Sequence, residues 1–398
     1  MDQKMRHDIF QTLDAYSRSG SLRTIPETDH GSSLYLEYKG KKLLNLASNN
    51  YLGFSNSETL KKASIQAIQL YGTSSSASRL ISGNYKIYDQ LEKILAEFKK
   101  QQKALAVGSG YAANLCIMGA LAGRGVTIFS DRLNHASIID AAVLSRARQV
   151  RYRHADTDHL SFLLEKFREH PSKILVTDTV FSMDGDTAPL EKLVQLCKKH
   201  QVLMIVDEAH ATGIFGRGRG LAHHLGLENE IDVHMGTFSK AMGSYGGYIA
   251  SSKDIIDLII TRSRPFIYST SLPPAVVGAS LAALETIMCN PQTASALLEF
   301  AQKVRSLLKG LGFDTGQSST HIIPVVMRES NLTIKAWQKL TDYGIFTGAI
   351  RPPTVPENTA RLRLSLRGDM GEKEMGIIKH CFTQLARELE LSGGLGTY

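Results

Sequence analysis

The sequence predicts an α/β protein: a large part built on a mostly parallel sheet, followed by a smaller α+β part. Apolar runs of strand length alternate with segments of helical spacing, the mark of a parallel sheet. One run, Val202-Leu203-Met204-Ile205-Val206, is unbroken, as a strand covered on both faces reads, and it closes on Asp207. An acid at the carboxyl end of such a strand points into the crevice where open α/β sheets bind ligands.

Taken in order, Met5 to Ser17 carries Ile9, Phe10, Leu13 and Tyr16 at helical spacing. Leu22 to Pro26 runs extended because Ile25 precedes a proline, and Arg23 within it reads as surface charge. Leu34–Tyr38 and Lys42–Leu46 flank Lys39-Gly40-Lys41, a hairpin signal. In the polar loop that follows, Asn49 and Asn50 read as turn formers before ligand contacts. Glu58–Tyr71 and Tyr88–Lys99 have helical spacing, with a Ser-rich loop between them that reaches Gly83. Strands are expected at Ala104–Val107, Val150–Arg153, Ile174–Asp178, Val202–Val206 and Gly247–Ser251, and helices near Ser137–Arg146, His159–Glu169 and Leu190–His200. A helical pattern from Val276 to Met288 resumes beyond Pro291, so three parts follow: an arm and hairpin over 1–47, a large α/β domain over 48–290 and a small domain over 291–398. The small domain offers Ile322–Met327, a helix around Ile334–Asp342, a strand near Ile345–Ala349, the alternating basic and apolar strand Ala360–Leu366 and a last helix over Glu372–Leu389. The Gly-rich tail SGGLGTY is expected to be loosely ordered.

With 398 residues, 43% hydrophobic, the chain is long enough to bury a large core. Its +8 charge is spread without a single-sign block and favours an anionic partner through steering. Four cysteines lie far apart without a CxxC pair, so neither a zinc site nor a disulfide framework is expected; no metal is expected, and reduced thiols suit a cytoplasm. The opening residues lack an apolar leader and no run reaches the ~18 apolar residues of a membrane span.

The chemistry rests on Asp207, His210 and Lys240. Lys240 follows Thr237-Phe238-Ser239 and precedes the glycines Gly243, Gly246 and Gly247, an amine set beside hydroxyls and close-packed backbone. Pyridoxal phosphate needs a lysine for its Schiff base and an acid to keep its ring nitrogen protonated, roles that Lys240 and Asp207 suit. Taken alone, either residue also fits a blander role, a helix-capping acid or a solvated lysine. Asp207-Glu208-Ala209-His210 also spells a helicase motif, but the chain holds no GxxxxGK[ST] segment and no RNP-type motif, which disfavours nucleic acid. Gly108-Ser109-Gly110-Tyr111-Ala112-Ala113 after a strand is equally a dinucleotide fingerprint, with Asp131 near the ribose position, so a nicotinamide oxidoreductase is a rival. Tyr111, which would crowd a pyrophosphate, and the site-like run Asp131 to Ser137 favour pyridoxal phosphate. His135 reads either as a helix cap or as an imidazole over an aromatic cofactor. Ser182 follows a strand end, where a site residue belongs, and Asp184-Gly185 beyond it reads as a turn. The prolines of Arg351-Pro352-Pro353-Thr354 hold Arg351 stiffly, as a carboxylate clamp or as an ordinary arginine on an edge strand.

Together these segments resemble the α-oxoamine synthases, enzymes that condense an amino acid with an acyl thioester and release carbon dioxide. The likeness runs from Asn49-Asn50-Tyr51-Leu52-Gly53 through Gly108 to Tyr111, Asp131 to Ser137, Val180 to Asp186, Asp207 to Gly213 and Thr237 to Lys240, as far as Tyr268 to Pro274. Ser78 to Asn84 and Ile350 to Leu366 are most similar to the biotin-pathway member, which joins L-alanine to a pimeloyl thioester on coenzyme A or acyl carrier protein. A sister member that takes glycine or serine is the alternative. The resemblance implies fold type I, with a mostly parallel seven-stranded sheet between helices, and pyridoxal phosphate as cofactor. It implies catalytic roles for Lys240, His135 and Asp207, and ring contacts from His210 and Ser182. Gly110, Tyr111, Thr237 and Ser239 would hold the phosphate. Arg351 would grip the amino acid carboxylate, with Arg23, Thr354 and Asn49 as further substrate contacts. It also implies a homodimer with the site between subunits, reached by the partner through Ser269 and Thr270.

Overall fold

The computed structural model describes residues 2–391, so the tail SGGLGTY lies outside the described residues. The chain divides into two compact units: one takes the residues as far as Ser48, Met183–Gly185 and those from Leu297 onward, the other Asn49–Ser182 and Asp186–Ala296.

In the first unit the expected hairpin forms as β1 (Tyr35–Tyr38) and β2 (Lys41–Asn45), paired antiparallel. The second unit holds seven strands: β3 (Lys103–Val107), β4 (Val126–Asp131), β5 (Arg148–Tyr152), β6 (Ser172–Asp178), β7 (Leu203–Asp207), β8 (Val233–Thr237) and β9 (Gly247–Ser251). They form one sheet in the order β3-β9-β8-β7-β6-β4-β5, parallel except at β9, which runs antiparallel to both neighbours. This is the architecture of fold type I transferases, and its core packs Val176, Ile205, Val233 and Ile249 of the sheet against Ile117, Met118 and Ile138. Every residue of β8 is buried, which is why a strand of such mixed composition holds in the middle of the sheet.

Strands β4, β6 and β7 all end on an aspartate, Asp131, Asp178 and Asp207. Register places Asp178 opposite Asp207 on neighbouring strands. The sheet therefore delivers its acids to one edge, the carboxyl ends of the parallel strands.

Back in the first unit, β10 (Ile322–Arg328), β11 (Ile345–Phe346), β12 (Gly348–Ile350) and β13 (Ala360–Ser365) follow. The single strand expected over Ile345–Ala349 is two short ones. β11 pairs parallel with β2 while β12 pairs antiparallel with β13, and the chain changes sheets at Thr347, whose hydroxyl donates to the Arg363 carbonyl at 2.8 Å. The strand of alternating basic and apolar residues forms as β13, at the centre of its sheet, with every residue buried. Arg361 is accommodated by Asp184 at 2.5 Å and Arg363 by the Ser365 hydroxyl at 2.6 Å.

Candidate active site

Asp207 is 3% exposed, and both of its oxygens are engaged. Oδ1 accepts from the Ala209 amide at 2.9 Å and Oδ2 from the Asn114 side chain at 2.9 Å. Hydrogen bonds of this kind hold a buried acid in one orientation.

Lys240 lies beyond β8, and its Nζ is 2.9 Å from His210 Nε2. The other ring nitrogen of His210 lies 2.6 Å from the Tyr51 phenol, which donates to the Asn49 side-chain amide oxygen Oδ1 at 3.0 Å. Asn49, Tyr51, His210 and Lys240 thus form one line of contacts, although sequence spacing separates its ends widely. Gly213, at φ +85°, lets the segment after Asp207 press against the lysine loop; a Cβ there would lie 2.5 Å from that of Ala241.

His135 caps the helix Ala136–Leu144, its Nδ1 accepting from the Ser137 amide at 3.2 Å. The cap therefore orients the ring, and the two sequence readings of His135 are compatible. Burial lowers its pKa below the usual imidazole value, Lys240 adds to this, and Asp207 and Asp140 oppose it. Its backbone amide donates to Asp178 Oδ2 at 2.7 Å. Burial, with Asp207 beside it, raises the pKa of Asp178 well above the usual carboxylate range.

Gly110 and Tyr111 open the helix Gly110–Leu121, whose cap Ser109 accepts from the Ala112 amide. Such a start turns amide hydrogens toward an anion. The Thr237 hydroxyl donates to the Gly246 carbonyl at 2.6 Å and accepts from the Ser239 amide at 3.1 Å. Gly247 has no room for a side chain, since a Cβ would lie 2.4 Å from the Ser109 carbonyl oxygen. The Tyr111 hydroxyl bonds Asp140.

Ser182 is half-buried, just beyond the bridge that joins Val180 and Thr187. Its loop is tied to β4 by His154, which contacts Asp131 at 3.0 Å and Asp186 at 2.8 Å. With Leu133 and Ala155 also donating to it and only 1% of the residue exposed, Asp131 is turned into the protein and is not presented to a ribose. The dinucleotide reading fails on this point and on the strand order. Ser269 and Thr270 are exposed on the loop before the helix Pro274–Cys289, and no hydrogen bond joins them to the Thr237 group among the described residues.

In the first unit, Arg23 donates to the Thr354 hydroxyl at 2.7 Å and Arg351 to the Gly20 carbonyl at 2.6 Å. All three side chains line a cavity of about 920 Å³, together with the apolar Leu22, Ile25, Trp337 and Phe346 and the acids Glu27, Asp29 and Glu37. Neither arginine is ion-paired among the described residues.

Tyr51, Asn114, Ser137 and Asp178 were not singled out as site residues from sequence. For Asp178 the signal was available, because it closes an apolar strand as Asp207 does. Tyr51 and Ser137 lie in runs that the resemblance covers, Asn49 to Gly53 and Asp131 to Ser137, but no role was read for them, and nothing local marks Asn114.

The second unit's donors fit pyridoxal phosphate: a buried acid for a ring nitrogen, a lysine beside a histidine, and amides with hydroxyls for a phosphate. Fold and site together define a fold type I transferase. Residues 41–378 match the family described as aminotransferase class I and II. A Geobacillus kaustophilus (strain HTA426) protein, provisionally named 8-amino-7-oxononanoate synthase, is 44% identical over 390 residues, 97% of this chain and all 100% of that one. Among solved structures, serine palmitoyltransferase from S. paucimobilis with bound PLP–myriocin aldimine gives a TM-score of 0.91 at 29% identity, covering 98% of this chain and 100% of that chain. The 8-amino-7-oxononanoate synthase of Francisella tularensis gives 0.76 at 26% identity, covering 87% and 98%. The chain belongs to the class I and II aminotransferase family and, within it, to the α-oxoamine synthases.

Proposed function

We propose that this enzyme condenses L-alanine with a pimeloyl thioester, carried on coenzyme A or acyl carrier protein, to give 8-amino-7-oxononanoate, carbon dioxide and free thiol in biotin synthesis. The observation that carries the choice of substrates is the 44% identity, along 97% of the chain, to a relative of that name. The cofactor is pyridoxal phosphate, which when bound supplies an aromatic electron sink for the negative charge left at the amino acid's α-carbon. When it is bound, Asp207 would hold its ring nitrogen, His210 and Ser182 would contact its ring hydroxyl, and Gly110, Tyr111, Thr237 and Ser239 would hold its phosphate.

Lys240 removes the α-proton of alanine. The α-carbon then bonds the thioester carbonyl carbon, the carbon–sulfur bond breaks and the thiol leaves. The bond to the alanine carboxylate breaks next, releasing carbon dioxide, and a proton returns to the α-carbon. His135 donates a hydrogen bond to the acyl oxygen as charge develops there. Arg351 grips the alanine carboxylate, and Arg23, Thr354 and Asn49 serve as substrate contacts. The cavity that Arg23 and Arg351 line with Leu22, Ile25, Trp337 and Phe346 supports a substrate that sets an alkyl chain on the apolar residues and a carboxylate against the arginines, away from Glu27, Asp29 and Glu37 of the same lining.

Two copies pair in this reading, with Ser269 and Thr270 of one completing the phosphate site of the other. Ile81, Leu144 and Tyr268, exposed at 82%, 71% and 72%, are the large apolar side chains that a second copy would cover in this reading. Free cysteines, three of the four buried, suit a cytoplasmic enzyme, and among the described residues no helix is long and apolar enough to cross a membrane.

The higher TM-score to serine palmitoyltransferase, 0.91 against 0.76, favours a second reading, a sister enzyme taking serine or glycine. Steady-state assays of alanine, glycine and serine against pimeloyl, acetyl and palmitoyl thioesters decide between them. The largest kcat/KM is expected for alanine with the pimeloyl thioester, and a clear preference for another amino acid overturns the first reading.

A further inference from the structure

Asn114 is 1% exposed and lies between two groups of the site. Its Nδ2 is 2.9 Å from Asp207 Oδ2 and 2.9 Å from the Ser137 hydroxyl. That hydroxyl is 2.7 Å from His135 Nδ1. The hydrogens along this path can be placed by elimination. Asp207 Oδ2 is a carboxylate oxygen and accepts, so the amide must turn its NH2 group, not its oxygen, toward Asp207. The same NH2 then gives its second hydrogen to Ser137 Oγ. Ser137 Oγ, having accepted, directs its own hydrogen to His135 Nδ1, which also accepts from the Ser137 amide at 3.2 Å. With Nδ1 accepting, the neutral ring carries its hydrogen on Nε2. Among the described residues no protein group partners Nε2, and the residue keeps a solvent-facing edge although protein surrounds most of the imidazole.

The amide also carries a cost. Asn114 Oδ1 is buried without a hydrogen-bond partner. Turning the amide over would put two acceptors, Oδ1 and Asp207 Oδ2, face to face. An orphaned buried acceptor is retained where the donors opposite it have a role.

We propose that Asn114 is a positioning residue: by dividing one NH2 group between Asp207 and Ser137, it holds His135 as an Nε2–H donor facing the crevice. The acid that meets the ring nitrogen and the imidazole that meets the acyl oxygen are then set by one amide. The low pKa of His135, due first to burial and then to Lys240, keeps the ring neutral and this tautomer populated. The inference rests on the functional reading for its consequence in turnover, while the tautomer is a property of the protein alone.

The test uses ¹⁵N-labelled histidine in the full-length protein, observed by long-range ¹H–¹⁵N NMR with and without pyridoxal phosphate. Wild-type His135, assigned by its absence in His135→Gln, is expected to be a single Nε2–H tautomer. Asn114→Leu and Ser137→Ala are each expected to give mixed tautomers and a shifted His135 titration midpoint. In turnover, kcat is expected to fall about tenfold or more while the cofactor Kd changes less than about threefold, since the residue acts through its neighbours. Ser137→Ala is the milder change and keeps the test decisive should Asn114→Leu not fold. An unchanged Nε2–H signal and midpoint in a folded variant overturn the proposal. Failure to bind pyridoxal phosphate with the tautomer change intact overturns the functional reading instead.

Discussion

The phenol of Tyr51, fully buried, lies 2.6 Å from Nδ1 of His210, whose other nitrogen is 2.9 Å from Lys240 Nζ. A proton shift at one end of this line therefore changes which partner donates at the other. Tyr51→Phe removes the hydroxyl and leaves the ring's packing. It is expected to cost about 1–2 kcal/mol of stability and to lower kcat roughly tenfold, because His210 loses the bond that orients it. Thermal melts and initial rates check this; wild-type kcat in a folded Tyr51→Phe protein contradicts the relay.

Asp178 faces Asp207 across neighbouring strands and accepts from the His135 amide at 2.7 Å. Its raised pKa means that the folded state prefers the protonated acid more than the unfolded chain does. The stability this contributes is full below the ordinary value near 3.8 and is lost as pH rises through the folded value. Asp178→Asn keeps the shape without the titration. Without cofactor, the variant is expected to melt a few degrees above wild type at pH 8, and the advantage is expected to shrink toward pH 4. Calorimetry at both pH values would reveal the opposite trend if the two carboxylates tolerate each other.

His154 behaves in the complementary way. Burial opposes its charge, but hydrogen bonds to Asp131 and Asp186 prevail and raise its pKa to about 10. Its stabilisation is complete below the unfolded value of 6.5 and is lost as pH rises through about 10. His154→Gln is expected to lose about 2 kcal/mol at pH 6 and to show a flatter pH dependence between 7 and 10. Denaturant unfolding across that range measures both.

How far the sequence reveals this protein depends on whether a residue's signal is local. Asp207 and Lys240 are legible because an apolar run ends on one and glycines surround the other. Helices with one apolar face are legible for the same reason; Leu190–His200 forms over the residues its spacing indicates. Strand β8 is not, because Val233-His234-Met235-Gly236-Thr237 has neither alternation nor an unbroken apolar run, and only its neighbours β7 and β9 make it a strand. Asn114 and Tyr51 escape notice because their importance lies in partners 93 and 159 residues away. The burial of the β13 arginines has no local sign for a related reason: Asp184, which pairs Arg361, lies 177 residues away in sequence.

One fully buried ion pair stands directly behind the site. Glu208 follows Asp207 in the chain, and its carboxylate pairs with Lys99, both side chains being 0% exposed. Glu208 Oε1 also accepts from the Ala222 amide at 3.1 Å, and His234 approaches its Oε2 at 3.3 Å. Glu208, His223 and His234 place ligand-type atoms within 4.8 Å of one another, and the charge there is supplied by Lys99, which also donates to the Arg219 carbonyl. Both partners' pKa values move toward their charged forms, with Lys99 raised and Glu208 lowered against the burial that opposes both. Removing one partner leaves the other charge buried without compensation, which typically costs about 3–5 kcal/mol, whereas removing both costs far less. Lys99→Met is therefore expected to unfold at markedly lower denaturant, and Lys99→Met/Glu208→Gln to recover at least half of the loss. A double-mutant cycle with no coupling would place the stability of this segment elsewhere. Because Glu208 and Asp207 share a peptide bond, the single variant is also expected to weaken pyridoxal phosphate binding, and the double variant to restore part of it.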